Sequence, residues 1–410
     1  MNNINVFICE ICKSSDTTHV LDLGNHALCD DLLAINSLDR CEEFQIKINF
    51  CNQCLTAHQA FPVPKRRLFP SSYHYRSSMT LDVLNGMESL VASTQAAHGS
   101  VNGKFVIDVG CNDGSLLQYF KAQGAKTLGV EPTLAAKDAQ TAGIDVIHDF
   151  FDSKVANEIV TLHGHPDFIT FTNVFAHIEN IDELLTSVKI LMGNHTKLII
   201  ENHYLGAVLD KYQFDTFYHE HPRTYSATSF QYIAKRLGRH IELIEFPSRY
   251  GGNIRVTIGK NEERSLASLK LIESTLLREK SFIHDFEKLN AVIKEWRSDM
   301  QLILKNAQCS DGKVYAKAFP GRAAILIKLL NLDKNEIAAV FEKPQSKKIG
   351  HYVPGTKIPI LSDDLLLEMI PEPRKIINLS WHIGKEIKKY LKSIDSTIEI
   401  FDIFTYENYK

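Results

Sequence analysis

Apolar residues climb through Phe105, Val106 and Ile107 to Asp108 and give way to Gly110, Asn112 and Gly114. A helical spacing then resumes over Ser115, Leu116, Leu117, Tyr119 and Phe120. This pattern predicts a strand, a tight turn and a helix, followed by a second strand at 128–131. Further short apolar runs predict strands at 144–147, 168–173 and 197–201, so that residues 104 to about 259 read as a doubly wound α/β domain. A helix is predicted at 79–97. A charged stretch at 262–305, rich in Leu and Ile but without a sustained heptad, predicts a connecting helix or helix pair. A second α/β unit follows: a strand from 313, a Phe319-Pro-Gly-Arg-Ala turn, a helix at 324–330, and strands at 337–341, 375–379 and 397–401.

Length agrees with several parts, because 410 residues exceed one compact core at roughly 150 residues per domain. The expected division is 1–66, 67–260 and 261–410. With 44% hydrophobic and 23% charged residues and a net charge of −3, the chain lacks the basic surplus of a nucleic-acid binder. The start, MNNINVFICEIC, has no basic segment followed by an apolar run, and no apolar stretch approaches roughly 18 residues. A cytoplasmic protein with no membrane or nucleic-acid partner is expected.

The glycine turn narrows the ligand. A dinucleotide site wants GxGxxG so that a pyrophosphate can rest on the helix N-terminus. Here the run is Gly-Cys-Asn-Asp-Gly, and Asp113 would oppose a phosphate while suiting an amino group and a sulfonium. S-Adenosylmethionine therefore fits better than NAD. The loop resembles motif I of class I methyltransferases, with Asp108, Gly110, Asn112 and Gly114 around the methionine moiety. Glu131, which ends the second strand, is expected on the ribose hydroxyls. Asp149 and Phe150 are expected to bracket the adenine, and Asn173 lies where the fourth strand ends.

Eight cysteines are present, four of them in Cys9-x2-Cys12 and Cys51-x2-Cys54. Two such knuckles supply a tetrahedral zinc site, and four thiolates leave no open position, so the expected role is structural. Phe61 to Arg67 is expected to be a stiff, basic linker. Downstream, Tyr212 to Ser226 is the densest polar segment, with Tyr218, His219, Glu220 and His221 in a row. HExxH spacing is absent, and adjacent residues point in different directions. His177 is expected at the mouth of the sheet, because ligands bind at the carboxyl ends of parallel strands.

Together the cysteine pairs, DVGCNDG, Tyr73-His-Tyr75 with RSS, NVFAH, YHEH and the trailing α/β unit resemble the sugar 3-C-methyltransferases over essentially the whole length. Those enzymes methylate C3 of nucleotide-linked 4-keto-deoxysugars on the way to branched sugars such as mycarose. The resemblance implies a class I methyltransferase core flanked by a zinc domain and a C-terminal Rossmann-like domain that helps hold the nucleotide-sugar. It implies His221 as base, Tyr218 as enolate donor and Glu220 as orienter or sugar ligand. His177, Tyr75 and its rival Tyr73 would line the sugar pocket, with Ser77 and Ser78 behind them. The partner it implies is a nucleotide-diphospho-4-keto-deoxy sugar, the expected cofactors are S-adenosylmethionine and structural zinc, and a monomer is expected.

Two stretches depart from the family. Pro222-Arg223-Thr224 precede Tyr225-Ser226 where the family has an aliphatic residue, serine and paired tyrosines. The family's YGAxAKG is replaced by Tyr315-Ala-Lys-Ala-Phe-Pro-Gly-Arg, which leaves GDP as open a carrier as dTDP. Competing readings are an O- or N-methyltransferase of another small molecule, an RNA methyltransferase and a noncatalytic scaffold.

Overall fold

The computed structural model describes residues 6–69, 75–79, 81–261, 265–307, 313–368 and 375–410. Its first strands are β1 (Thr17–Ala27), β2 (Glu43–Cys51) and β3 (Ala57–Gln59), an antiparallel ribbon. In β2, Ile46, Ile48 and Phe50 are buried and alternate with less buried residues, so one face turns to the core. The supposed linker is no linker. Val63 and Leu68 pack with Leu28, and Lys65–Leu68 forms a short helix. Its basic, proline-rich composition concealed two apolar anchors.

The second sheet begins with β4 (Phe105–Val109), β5 (Lys126–Val130), β6 (Asp145–Ile147), β7 (Phe168–Thr172) and β8 (Lys197–His203), all mutually parallel. Strand β7 stops one residue before the predicted end because Asn173 turns to φ 55°. Strand β8 runs beyond the predicted 201, because an antiparallel neighbour continues pairing as far as His203. The chain then makes β9 (Arg223–Thr224), which leaves this sheet to pair with β3. Strands β10 (His240–Glu245) and β11 (Asn253–Gly259) complete the order β10-β11-β8-β7-β4-β5-β6, with β11 antiparallel to both neighbours. Helix Leu81–His98 and helix Ser115–Ala122 cover one face through Val83, Met87, Leu90, Leu116 and Phe120. Helices Ser153–His163 and Ile181–Leu191 are also buried against the sheet, through Val155, Ile159, Leu184 and Val188.

The charged stretch is a helix pair, Leu266–Glu279 and Phe282–Ala307. Far from merely connecting, it fastens the parts together. Glu279 accepts hydrogen bonds from Ala227 N, Thr228 N, Thr228 Oγ1 and Tyr204 OH, and Trp296 Nε1 donates to Ile403 O. The third sheet has β12 (Val314–Lys317), β13 (Ile337–Glu342), β14 (Ile360–Ser362), β15 (Lys375–Asn378) and β16 (Glu399–Asp402). All are parallel, in the order β14-β13-β12-β15-β16. Among the described residues, no helix is long and apolar enough to cross a membrane.

Candidate functional site

A cavity of about 550 Å³ lies beyond the carboxyl ends of the parallel strands of the second and third sheets. Gly110, Glu131, Asn173 and His203 reach it from β4, β5, β7 and β8, and Arg322 and His382 reach it from the loops after β12 and β15. The N-terminal module contributes Cys29, Asp30 and Lys65.

One end is a nucleoside crevice. Gly110 has φ 72°, and a Cβ there would sit 2.6 Å from Val174 Cγ2, so only glycine fits this close approach. Asn112 N donates to Glu131 Oε2 at 3.0 Å, while Thr133 N and Oγ1 donate to Oε1 at 2.9 and 2.6 Å. That fixes the Glu131 carboxylate on the cavity wall with acceptor capacity left for a ribose diol. Phe150 also lines the wall, with Lys65 Nζ 4.4 Å above its ring. Tyr75 stands at the rim, 37% exposed, its carbonyl accepting from Asn112 Nδ2. Tyr73 lies outside the described residues.

Other expected cofactor residues sit elsewhere. Asp108 is buried below the turn, takes a 2.6 Å hydrogen bond from Thr170 Oγ1 and has its carboxyl pushed up to about 7 by burial. Gly114 does not face the cavity; it lets the turn approach Ala139. Asp113 is turned inward, where it accepts from Ser78 N at 2.9 Å and Ser115 Oγ at 2.6 Å. It ties the 77–78 segment to the turn. Asp149 is exposed, absent from the wall and bonded to Phe150 N at 2.7 Å. An aspartate able to satisfy a neighbouring N–H does so locally.

At the centre stand three imidazoles. The His221 ring lies 5.0 Å from His177, 5.2 Å from His203 and 4.2 Å from Tyr218, centroid to centroid. His221 Nδ1 meets Thr216 O at 3.1 Å. A carbonyl only accepts, so Nδ1 carries the hydrogen and Nε2 keeps its lone pair. His177 Nδ1 is held likewise by Glu220 O at 2.6 Å. Burial, with the His177 and His203 charges added, lowers the pKa of His221 well below the usual range; burial likewise lowers His177 and brings His203 to about 3. All three are neutral at pH 7. Burial and then Glu220 raise the Tyr218 phenol, which stays protonated. The Glu220 carboxyl is raised well above its usual range by burial and then by Asp30. His219 faces away, Nε2 meeting Phe44 O of the zinc module at 2.9 Å.

Sequence reasoning did not assign His203, Arg322 or His382. His203 ends a parallel strand, the same signal that selected His177.

The four knuckle sulfurs lie within 4.8 Å of one another, with Cys9–Cys54 and Cys12–Cys51 both at 3.4 Å. Zinc–sulfur bonds of about 2.3 Å imply tetrahedral edges of about 3.8 Å, so the set fits zinc. Cys51, favoured by hydrogen bonds from Cys54 and Cys9, ionises first, and its hydrogen bond is the main reason Cys9 is pushed up to about 12. Four thiolates coexist here only around a cation. His58 Nε2 lies 3.3 Å from Cys9 Sγ, and β3 carries His58 opposite Arg223 of β9. Buried Arg223 binds Glu10, Ile178 O and the Tyr225 hydroxyl, which explains its place after the histidines.

Three family models match in succession: a zinc binding domain over 9–69, a methyltransferase domain over 89–242 and a C-methyltransferase C-terminal domain over 248–400. The C-methyltransferase NovU of Streptomyces niveus is 26% identical over 392 residues, 92% of this chain and 90% of that one. Among solved structures, magnesium protoporphyrin IX methyltransferase of Synechocystis PCC 6803 with bound SAM matches at 16% identity and TM-score 0.33. It covers 44% of this chain and 81% of its own. The PH0226 protein of Pyrococcus horikoshii OT3 matches at 15% identity and TM-score 0.36, covering 48% of this chain and 98% of its own. A four-cysteine zinc module, a doubly wound core with its nucleoside crevice and a second α/β unit thus coincide with these three matches in order, and along its length the chain is similar to S-adenosylmethionine-dependent C-methyltransferases.

Proposed function

We propose that the protein methylates C3 of a nucleotide-linked 4-keto-6-deoxy sugar, with His221 as the base. The observation that carries this reading is His221 itself. It is a neutral imidazole on the wall of the cavity shared with the nucleoside crevice, with Nδ1 bound to Thr216 O and, among the described residues, no hydrogen bond to Nε2. When bound, S-adenosylmethionine supplies an electrophilic methyl on a sulfonium.

The chain's own task is to make and hold a carbanion. A C4 ketone acidifies the C3 hydrogen by delocalising charge onto its oxygen, so one group must take the proton and another must face the oxygen. His221 Nε2 takes the proton, and Thr216 O stabilises the imidazolium through Nδ1–H. Tyr218, protonated and with its ring centroid 4.2 Å from that of the imidazole, donates to the oxygen. His177 and Glu220 line the sugar end, with Glu220 as a hydrogen-bonding group, and Tyr75 stands at the rim. The unfavourable charging of His221 in this buried setting is offset by the enolate formed beside it.

Hydrogen exchange at C3 tests the assignment. In deuterated water, dTDP- and GDP-4-keto-6-deoxyhexoses are incubated with the protein, and one of the two is expected to gain deuterium at C3. His221→Asn is expected to abolish the gain while leaving S-adenosylmethionine affinity unchanged. Exchange that survives the substitution would reject His221 as the base.

A further inference from the structure

The third sheet has a topological reversal of its own. From β12 the chain moves outward to β13 and β14, then returns to β15 and β16 on the other side. Ligands of doubly wound sheets lie at such a reversal, outside the carboxyl ends. The two loops that leave it bring Gly321, Arg322 and His382 to the wall of the cavity. The first loop is seated firmly: a Cβ on Gly321 would be 3.1 Å from Cys29 Cβ of the N-terminal module.

Arg322 is oriented but not saturated. Its Nε lies 3.3 Å from Asp215 Oδ2, Nη1 donates to Thr216 Oγ1 at 3.1 Å, and Cζ stands 5.5 Å from the Trp381 ring centroid. Trp381 Nε1 donates to the same Asp215 oxygen at 3.1 Å. Nη2 is shielded from water and has no hydrogen-bond partner among the described residues, in a side chain that is 11% exposed. A cationic N–H left unpaired in such surroundings is costly unless a ligand supplies the acceptor. Lys348, on the same wall, donates to Phe319 O at 2.7 Å and keeps two further N–H groups.

A neutral hydroxyl would leave the positive charge in place beside the imidazoles. Arg322 is among the groups that oppose protonation of His203, His221 and His382. A bound dianion offsets that opposition, so the acceptor best matched to Nη2 also favours proton transfer to the base. Guanidinium and phosphate are complementary in charge and shape.

We propose that Arg322, with Lys348 on the same wall, receives the diphosphate of the substrate and is a specificity-determining residue supplied by the C-terminal unit. This rests on the nucleotide-linked substrate put forward above. The departure from YGAxAKG is then functional: Lys317 is buried with Asp363 at 2.8 Å, and the cation that faces the ligand is Arg322.

Calorimetry on the full zinc-loaded chain provides the test, with dTDP, GDP and the corresponding free nucleosides as probes. The wild type is expected to bind one diphosphate far more tightly than its nucleoside. Arg322→Gln should weaken the diphosphate by about tenfold to a hundredfold, leave the nucleoside unchanged and keep S-adenosylmethionine affinity. Arg322→Lys should recover part of the loss. Equal weakening of diphosphate and nucleoside, or no weakening of either, would overturn the assignment to Arg322. If the wild type binds S-adenosylmethionine but neither diphosphate, the nucleotide-linked substrate itself is rejected, and the inference with it.

Discussion

His219 and His221 are two residues apart and do different work. One is spent on Phe44 O at the zinc module and the other faces the cavity. The cluster was legible as a motif, but which histidine meets the ligand depends on local backbone direction that composition does not carry. Asp113 and Asp149 sit differently from expectation for a related reason: each short acidic side chain accepts from a nearby N–H group, of Ser78 and Phe150 respectively. Arg322 escaped notice because the Thr216 hydroxyl that orients it is 106 residues away in sequence. Two outcomes belong to this scale. Tyr218→Phe removes the proposed enolate donor and should lower kcat roughly 10²- to 10³-fold with little change in cofactor affinity, as measured by steady-state kinetics beside calorimetry. The lowered pKa of His221 means that the base stays unprotonated below its ordinary range. The acidic limb of kcat/KM should therefore fall below about pH 6.5, and a limb above that value would contradict a buried neutral base.

Between the cysteine pairs lie β1, β2 and the turn that carries Cys29 and Asp30 to the cavity. The spacer exceeds a usual zinc ribbon because it is half of a sheet, and the knuckles signalled the metal without signalling that sheet. Strand β9 is two residues long and has no periodicity to read; it exists because β3 offers an edge, pairing Ala57 with Thr224 and His58 with Arg223. Gln59 N adds a 2.8 Å hydrogen bond to Pro222 O. Zinc therefore braces the strand on which the Tyr218–His221 segment hangs. Stripping zinc with a chelator should reduce kcat more than S-adenosylmethionine affinity and should raise protease sensitivity around 218–225. Loss of both functions in equal measure would show that zinc holds the whole chain and has no particular hold on this segment.

At the scale of the molecule, the parallel strands of two sheets direct their carboxyl ends into one cavity, whose wall carries His177, His203, His221 and His382. The α/β character of both units was readable from apolar runs separated by turns, because parallel strands covered on both faces are continuous apolar segments. Their mutual placement was not, since it is set by distant pairs such as Phe214 with Phe404 and Asp215 with Arg322. The central claim is that a methyl group reaches a sugar carbon. The most direct measurement uses S-adenosylmethionine labelled with carbon-13 in its methyl group, offered with dTDP- and GDP-4-keto-6-deoxyhexoses, and locates the label in the product by mass and carbon NMR. The account predicts one added methyl on one of the two sugars, bonded to C3 and resonating with aliphatic C–CH₃ groups. A label in the methoxy region, or two unchanged sugars from protein that binds the cofactor, would contradict it.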